Sequence, residues 1–355
     1  MRQNTFEGDT MSTQDSFFAP CLEKLFFGHK LTQQEVRQLM NGMLSAGLSD
    51  VRVAAVLTAL RLTTATQELV LTSLESFREH LKGFETLQLG SERLVDNSGT
   101  GGDQSNTVNI SSMAAVVAAA SGAKIAKFGS RSISGYCGSA DVLEALGVPF
   151  ARKPEQFQHQ LNSFGISYLY APALLHSLQH LNTVRRSLGF HTILDLLLPL
   201  ANPAPLHGQV LGVYSEDIQI LAARCLHMLG RRRAVVVHSE DGLDEISVCS
   251  PTRVIRLTDG LQSVEVWNPQ DFGIPLYEIG ALKGGGKDEN KECFQKTLSG
   301  KSSGAVTDAV LLNAAATLWS ASIVDNMNDG LQLARSSLVS GRAATMLEKW
   351  KDLPN

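Results

Sequence analysis

Apolar residues recur at helical spacing through the first eighty residues of the chain. One stripe consists of Val36, Leu39, Met40, Met43 and Leu44, and a second consists of Val53, Val56, Leu57 and Leu60. Thr32 and Glu35 precede the first stripe at the spacing of a capping box, and Ser49 can cap the second helix. A third helix is predicted from about Gln67 to His80. This part of the chain is therefore predicted to form a small helical subdomain.

From about residue 93 the pattern changes to alternating strands and helices. The segment LVDN is predicted to be a short strand, SSMAAVVAAASGA a helix and AKIAKF the next strand, which together make one βαβ unit of a parallel sheet. Further along, RRRAVVVHS is typical of a buried strand, and amphipathic helices are predicted over 304–318 and 329–347. The predicted fold class is α/β: a small N-terminal helical subdomain plus a large α/β domain with a central, mainly parallel sheet.

Three parts of the chain are distinguished by this pattern. Residues 1–16 are polar and are predicted to be a mobile tail. The helical subdomain is assigned to 17–85, and the segment of about 170–203 is expected to join it, because that segment is helical and then punctuated by prolines. The α/β domain is assigned to 86–169 and 204–355.

Composition narrows the classes of partner. The chain has 355 residues, 43% of them hydrophobic, and a net charge of −4, so it has no broad electrostatic attraction to nucleic acid or acidic membranes. No stretch approaches the ~18 apolar residues of a membrane span. Five scattered cysteines without a CxxC pair indicate neither a disulfide framework nor a structural zinc site, and a reducing cytoplasm is the expected setting.

The loop DNSGTGGDQSNTVNISS lies between a predicted strand and a predicted helix, which is a typical position for a phosphate-binding loop. Its glycines allow a ligand to approach the backbone closely, and its polar side chains stand at a helix start whose free N–H groups favour an anion. These residues are Gly99, Gly101, Gly102, Asn109, Ser111 and Ser112. The loop matches neither the P-loop nor GxGxxG. An ordinary glycine turn with Ser111 as a helix cap remains open.

A second candidate site is the segment HSEDGLDEIS, which follows the strand AVVVH. Open α/β sheets bind ligands at the carboxyl ends of their strands. Adjacent carboxylates such as Asp244 and Glu245 can hold Mg²⁺, which fills its remaining positions with water and substrate phosphates. Taken alone, the segment fits a solvated acidic turn better.

Between these segments, Lys127 ends a strand and could neutralise phosphate, although a surface lysine that snorkels is the commoner case. The small residues from Ser130 to Gly138 indicate either a segment that closes over substrate or a plain connector. His176 and His180 have helical i, i+4 spacing, but without the glutamate of HExxH a packing or surface role is favoured over a metal site. No motif for covalent catalysis is recognisable.

These motifs resemble the anthranilate phosphoribosyltransferase family over nearly the whole chain. The resemblance lies in GTGGD followed by Thr107, Asn109, Ile110 and Ser111, in Lys127 with Gly129, and in the segments GSADVLEALG, VRRSLG, PLANPA, DGLDE, DAVLLNAAATL and SGRA. It implies magnesium-dependent transfer of the phosphoribosyl group from phosphoribosyl pyrophosphate to an aromatic amine, anthranilate, in tryptophan biosynthesis. It also implies a homodimer whose contact and hinge are the helical subdomain.

The resemblance carries over roles position by position. Contacts to the donor and acceptor are implied for Gly99, Gly101, Gly102, Asp103, Thr107, Asn109, Ser112, Lys127, Ser139 and Arg185, of which Arg185 would bind the acceptor carboxylate. Ser111, Asp244 and Glu245 would serve Mg²⁺. The departures concentrate on the acceptor side: Phe128, Ser130, Leu175 and Leu198 replace a histidine, an asparagine, a histidine and a glycine, and Ser134-Gly135-Tyr136-Cys137 replaces Ser-Ser-Lys-Ser.

Because of these departures we expect a narrower acceptor pocket with fewer hydrogen-bonding groups. Three alternatives remain open. The first is a phosphoribosyltransferase for another aromatic or heterocyclic acceptor. The second is a non-catalytic relative that binds a ligand or nucleic acid, against which the acidic net charge and the intact carboxylate pair argue. The third is a pyrimidine nucleoside phosphorylase of the same fold, which the DGLDE carboxylates disfavour.

Overall fold

A computed structural model describes residues 17–81, 93–133 and 135–352, so the predicted tail over 1–16, the boundary near residue 85 and Ser134 lie outside the described residues. The helices are α1 Phe18–Phe26, α2 Gln33–Leu44, α3 Asp50–Leu62, α4 Gln67–His80, α5 Ile110–Ala120, α6 Ser139–Ala145, α7 Pro154–Phe164, α8 Ala171–Leu174, α9 Ser177–Leu188, α10 Ile193–Leu200, α11 Gln219–Met228, α12 Lys287–Leu298, α13 Ala305–Ser320, α14 Met327–Val339 and α15 Arg342–Lys351. The strands are β1 Leu94–Asp96, β2 Lys124–Gly129, β3 Ile166–Tyr170, β4 Gly208–Gly212, β5 Arg233–Ser239, β6 Thr252–Thr258 and β7 Leu261–Trp267.

The helical subdomain forms as its apolar stripes predict. Both stripes are buried in one core cluster, and the Thr32–Glu35 capping box is present at the start of α2. Ser49 is the N-cap residue of α3, but its side chain makes no capping bond. α9 packs against α2 and α3, and α10 against α3 and α4, which places the segment after β3 beside the N-terminal helices.

Within the described residues, the strands of the α/β domain form one seven-stranded sheet with the order β3-β2-β1-β4-β5-β6-β7. The first five strands in this order are parallel, as predicted. β6 and β7 are antiparallel and form a hairpin that was not predicted from the sequence. Its two-residue turn is Asp259-Gly260, with φ values of 47° and 91°, as a type I′ turn requires.

Two predicted helices differ from those observed. α13 is buried on nearly all sides, because α5 lies against one side and α14 against another, so the prediction of an amphipathic helix there is wrong. The helix predicted over 329–347 is two helices, α14 and α15, since Gly341 adopts a left-handed φ of 76° between them.

The strand order places a site at the carboxyl ends of β1 and β4. Successive strands run outward from β1 through β2 to β3 and then outward on the other side from β4 to β5, so the direction of winding reverses between β1 and β4. Such a switch point leaves a crevice between the loops that follow the two strands. No helix in the described part of the chain is long and apolar enough to cross a membrane.

Candidate active site

A cleft of about 410 Å³ opens at this switch point. Its walls are the loop after β1, the loop after β2, the α9–α10 connection and the turn after β5. Every residue to which the sequence analysis assigns a binding role lines the cleft: Gly99, Gly101, Gly102, Asp103, Thr107, Asn109, Ser111, Ser112, Lys127, Ser139, Arg185, Asp244 and Glu245. The structure therefore brings together residues that are far apart in the sequence.

The glycines of the loop after β1 allow it to lie directly on Asp244. The Gly101 N–H donates a 2.7 Å hydrogen bond to Asp244 Oδ2, and a Cβ at Gly99 would stand 2.5 Å from the same oxygen. On the opposite side, a Cβ at Gly212 would lie only 1.5 Å from the Asp244 carbonyl oxygen. Gly101 and Gly102 also have left-handed φ values of 65° and 84°. A larger residue at Gly99 or Gly212 would push Asp244 out of place, whereas a side chain at Gly102 would overlap His191.

Asp244 and Glu245 form a carboxylate pair at the base of the cleft. The Ser111 N–H, at the start of α5, donates to Glu245 Oε1 at 3.2 Å. Burial raises the pKa of both carboxyls, and neighbouring negative charge adds to it, from Asp103 for Asp244 and from Asp244 for Glu245. Both side chains still have a face open to the cleft. A cation bound at that face would offset the repulsion.

The donor set of this pair fits magnesium. Among the described residues, no three or more His, Cys, Asp or Glu side chains form a complete metal site by themselves. Mg²⁺ does not need one, because it binds one or two protein carboxylates and takes water and phosphate oxygens for the rest of its shell. Two neighbouring carboxylates that repel each other are a suitable donor set for such an ion.

Lys127 is buried beneath the loop, with 2% of its surface exposed, so the alternative of a snorkelling surface lysine is wrong. Its ammonium donates to the Asn97 carbonyl oxygen at 3.3 Å, to Asn97 Oδ1 at 2.9 Å and to Ser111 Oγ at 3.3 Å. Burial lowers the pKa of Lys127, and the charges of Asp96, Glu245 and Asp244 oppose that shift. The lysine thus holds the loop and the start of α5 together while it adds positive charge beneath the cleft.

Two polar atoms at the start of α5 line the cleft without a partner. α5 begins at Ile110 after the N-cap residue Asn109, so the alternative in which Ser111 is the cap is wrong. Asn109 Nδ2 donates to the Cys137 carbonyl at 2.9 Å, which ties the loop after β2 to the helix start. Asn109 Oδ1 and Ser112 Oγ, both buried, have no hydrogen-bond partner among the described residues. Since buried polar atoms are normally paired, these two atoms can accept or donate a hydrogen bond to a polar ligand in the cleft.

Arg185 lines the other end of the cleft, where it is already paired. Its Nη2 donates to Asp195 Oδ1 at 2.7 Å and its Nη1 to Asn182 Oδ1 at 2.9 Å, and only 5% of the residue is exposed. Asp195 Oδ2 accepts from the Thr192 N–H at 2.7 Å. Asp195 was not predicted from the sequence, although its capping-box spacing with Thr192 at the start of α10 is a recognisable signal.

The predicted departures on the acceptor side occupy different places. Ser130 and Leu198 line the cleft, and so does Phe128, although Phe128 is only 2% exposed and belongs to the hydrophobic core as well. Leu175 does not line the cleft, because it packs in the hydrophobic core among the helices, so the expectation that it narrows the pocket is wrong. His176 precedes α9 as its N-cap residue, and His180 pairs with Asp50 at 3.4 Å, a role in helix packing rather than in a metal site.

Two further residues of the site were missed from the sequence. His191 stacks on Tyr214 with ring centroids 3.7 Å apart, and burial lowers the pKa of His191. Asn202, which does not itself line the cleft, donates to Asp96 Oδ2 at 2.9 Å and to the Ala126 carbonyl at 2.7 Å, so it joins the end of β1 to β2. Each of these contacts joins distant parts of the chain, and no local pattern indicates them.

Comparison with known proteins places this architecture among glycosyltransferases. Residues 91–344 match the model described as "Glycosyl transferase family, a/b domain", and residues 19–81 match "Glycosyl transferase family, helical bundle domain". The anthranilate phosphoribosyltransferase of Persephonella marina is 36% identical over 93% of this chain and 97% of its own length. That of Myxococcus xanthus is 39% identical over 92% of this chain and 96% of its own length.

Solved structures agree with these relatives. The anthranilate phosphoribosyltransferase of Thermus thermophilus superposes with a TM-score of 0.84 at 35% identity, covering 93% of this chain and 98% of that one. The Saccharomyces cerevisiae enzyme, determined in complex with PRPP and Mg, gives a TM-score of 0.84 at 25% identity, covering 94% and 97%. Both the helical bundle and the α/β domain are thus shared with these proteins.

Proposed function

The chain belongs to the anthranilate phosphoribosyltransferase family, and on this premise we propose that it transfers the phosphoribosyl group from phosphoribosyl pyrophosphate to an aromatic amine, anthranilate, with release of pyrophosphate. This reaction belongs to tryptophan biosynthesis. The observation that carries the proposal is the glycine loop hydrogen-bonded to Asp244, with the unpaired Asn109 Oδ1 and Ser112 Oγ in the same cleft.

The donor diphosphate would lie at the start of α5. The dipole of a helix N-terminus favours an anion, and the glycine loop lets a ligand approach the backbone of the same region closely. We assign donor contacts to Gly99, Gly101, Gly102, Asp103, Thr107, Asn109, Ser112, Lys127 and Ser139. Lys127 would act mainly through its charge, because its N–H groups are directed at Asn97 and Ser111.

Ser111 Oγ, Asp244 and Glu245 would hold Mg²⁺, whose charge, when bound, neutralises the leaving pyrophosphate. The acceptor nitrogen forms a bond to the ribose carbon as the bond from that carbon to the pyrophosphate oxygen breaks, and the acidic arylammonium so formed then loses its extra proton to water. Negative charge develops on the leaving group, above the buried ammonium of Lys127 and the start of α5. An aromatic amine is a sufficient nucleophile, so the site needs no strong base beside it.

Pyrophosphate release from phosphoribosyl pyrophosphate tests this proposal. We expect release that requires both anthranilate and Mg²⁺. We also expect Ser112→Ala to raise the KM for phosphoribosyl pyrophosphate by about tenfold, since one hydrogen bond from a serine hydroxyl to the ligand contributes roughly 1–2 kcal/mol. Thr345→Ala, on α15 and outside the cleft, is the control and should leave that KM unchanged. Absence of release with every aromatic amine tried would contradict the proposed function.

We also propose a homodimer formed through the helical subdomain. Four large apolar side chains there are exposed: Phe26, Phe27, Val51 and Leu62. Val51 and Leu62 stand three helical turns apart on the same face of α3, so they form one side of it. Exposed apolar faces of this kind are typical of subunit contacts. For the cell compartment we propose the cytoplasm, where the five free cysteines would remain reduced.

A further inference from the structure

The acceptor end of the cleft contains a buried ion pair between Arg185 and Asp195. We infer that Asp195 is a specificity-determining residue, because its negative charge neutralises part of the positive charge of Arg185. The site therefore distinguishes only weakly between an aromatic amine that carries a carboxylate and an uncharged aromatic amine or nitrogen heterocycle. This inference rests on the proposed function and extends its acceptor class beyond anthranilate.

Asp195 is held in place by its own hydrogen bonds. Its Oδ2 accepts from the Thr192 N–H at 2.7 Å and from Thr192 Oγ1 at 3.3 Å, while its Oδ1 accepts from Arg185. Thr192 is 1% exposed, so movement of Asp195 would leave a buried backbone N–H without a partner. The carboxylate therefore stays beside Arg185 when an acceptor binds.

The carboxylate of an acceptor bound to Arg185 would be repelled by the negative charge of Asp195. Asn182 accepts one N–H of Arg185 Nη1, and Asp195 accepts one N–H of Arg185 Nη2. A ligand can therefore bind only the remaining N–H groups of the guanidinium. A ligand carboxylate bound there would lie close to the carboxylate of Asp195, in a buried place where water screens poorly. Like charges at such separation repel, and the attraction of Arg185 is reduced accordingly.

The rest of this end of the cleft suits an aromatic ring more than a charge. Leu198 is partly exposed and provides apolar surface, with the buried Phe128 also lining the cleft. His191 lies near Asp195, but burial lowers its pKa, which favours the neutral ring near pH 7. Arg186 lines the cleft and Arg61 lies near His191, and both are exposed, so solvent screens their charge.

Two single substitutions change the charge beside Arg185 in opposite directions. Asp195→Asn removes a negative charge, whereas Asn182→Asp adds one and keeps an oxygen that can accept from Nη1. The measured quantity is the ratio of kcat/KM for anthranilate to that for aniline, which lacks the carboxylate. We expect Asp195→Asn to raise this ratio by about tenfold and Asn182→Asp to lower it by a similar factor.

The opposite signs separate specificity from damage to the fold. A disturbed site would lower kcat/KM for both acceptors in both variants without moving the ratio in opposite directions, and the KM for phosphoribosyl pyrophosphate reports damage to the donor end. An unchanged ratio in both variants would overturn the inference. A ratio that falls in Asp195→Asn would also overturn it, since Asp195 would then orient Arg185 for the carboxylate.

Failure of the proposed function has a different signature. In that case the native protein releases pyrophosphate with neither acceptor. The role of Asp195 is then tested separately, by measuring calorimetrically the affinity of the native protein and of both variants for benzoate and for benzamide. Preference for benzoate should rise in Asp195→Asn and fall in Asn182→Asp, and an unchanged preference would exclude the role of Asp195.

Discussion

Asp244 and Glu245 carry the negative charge at the base of the cleft, and their raised pKa values arise from burial together with neighbouring carboxylates. We expect phosphoribosyl pyrophosphate to bind tightly only with Mg²⁺, because without a cation its phosphates face these carboxylates. The double change Asp244→Asn with Glu245→Gln should abolish the dependence on Mg²⁺, since it removes the groups that anchor the ion. Calorimetry with and without Mg²⁺ measures this directly.

The control for that prediction removes the same charge elsewhere. Asp288 and Glu292 are exposed on α12, and Asp288→Asn with Glu292→Gln should leave the metal-dependent affinity unchanged. If the Asp244 and Glu245 double variant keeps the native dependence on Mg²⁺, the carboxylate pair has no part in metal binding.

Single residues show where inference from sequence ends. Gly101, Ser111 and Asp244 could be selected from the sequence because glycine loops and adjacent carboxylates have local signatures. The pairing of Arg185 with Asp195 could not, because the two residues lie on different helices and only packing brings them together. Lys127 was selected from the sequence as a phosphate-binding residue and lines the cleft, but its partners Asn97 and Ser111 follow from burial that the local sequence does not encode.

The packing of β4 against the turn after β5 also depends on one residue. The last residue of β4, Gly212, approaches the backbone of Asp244 so closely that a Cβ would overlap the carbonyl oxygen. We expect Gly212→Ala to destabilise the protein by about 2 kcal/mol, since overpacking displaces backbone here rather than a flexible side chain. It should also weaken metal-dependent donor binding, because Asp244 moves with that backbone.

Urea unfolding of Gly212→Ala is compared with that of Gly280→Ala. Gly280 has no described atom within 4 Å of a built Cβ, so the same substitution there should change the free energy of unfolding by no more than about 0.5 kcal/mol. Equal unfolding curves for the two variants would show that β4 and the turn are not as tightly packed as this geometry requires.

Elements with a repeating local pattern could be predicted, and elements defined by their surroundings could not. The stripes of α2 and α3 and the βαβ unit around α5 appear where their periodicity predicts. The β6–β7 hairpin had a local signal, an Asp-Gly turn between alternating apolar residues, which was overlooked. α13 gave a helix pattern, but whether it would be buried on one side or on all sides depended on α5 and α14.

For the whole molecule, the sequence indicates a helical subdomain and an α/β domain with a mainly parallel sheet, but not the order of the strands in that sheet. Gly101 and Asp244 are 143 positions apart, and their hydrogen bond exists only because β4 lies between β1 and β5. The expectation that ligands bind at strand ends was sufficient to place two motifs on the same edge of a sheet. It could not place α9 and α10 over that edge, and therefore could not foresee the ion pair at the acceptor end.

The proposed dimer is the property of the whole molecule that depends most on the exposed helical subdomain. Phe27 is 74% exposed after α1 and Leu62 is 80% exposed at the end of α3. If these side chains form the subunit contact, Phe27→Glu with Leu62→Glu should convert a dimer to a monomer in light scattering, because charges would be buried without partners.

The control is a matched change on the edge strand β7, where Leu261 and Val264 are 78% and 63% exposed. Leu261→Glu with Val264→Glu should leave the dimer intact. A native protein that is monomeric at micromolar concentration would contradict the proposal, and dissociation caused only by the β7 variant would move the contact to the edge of the sheet.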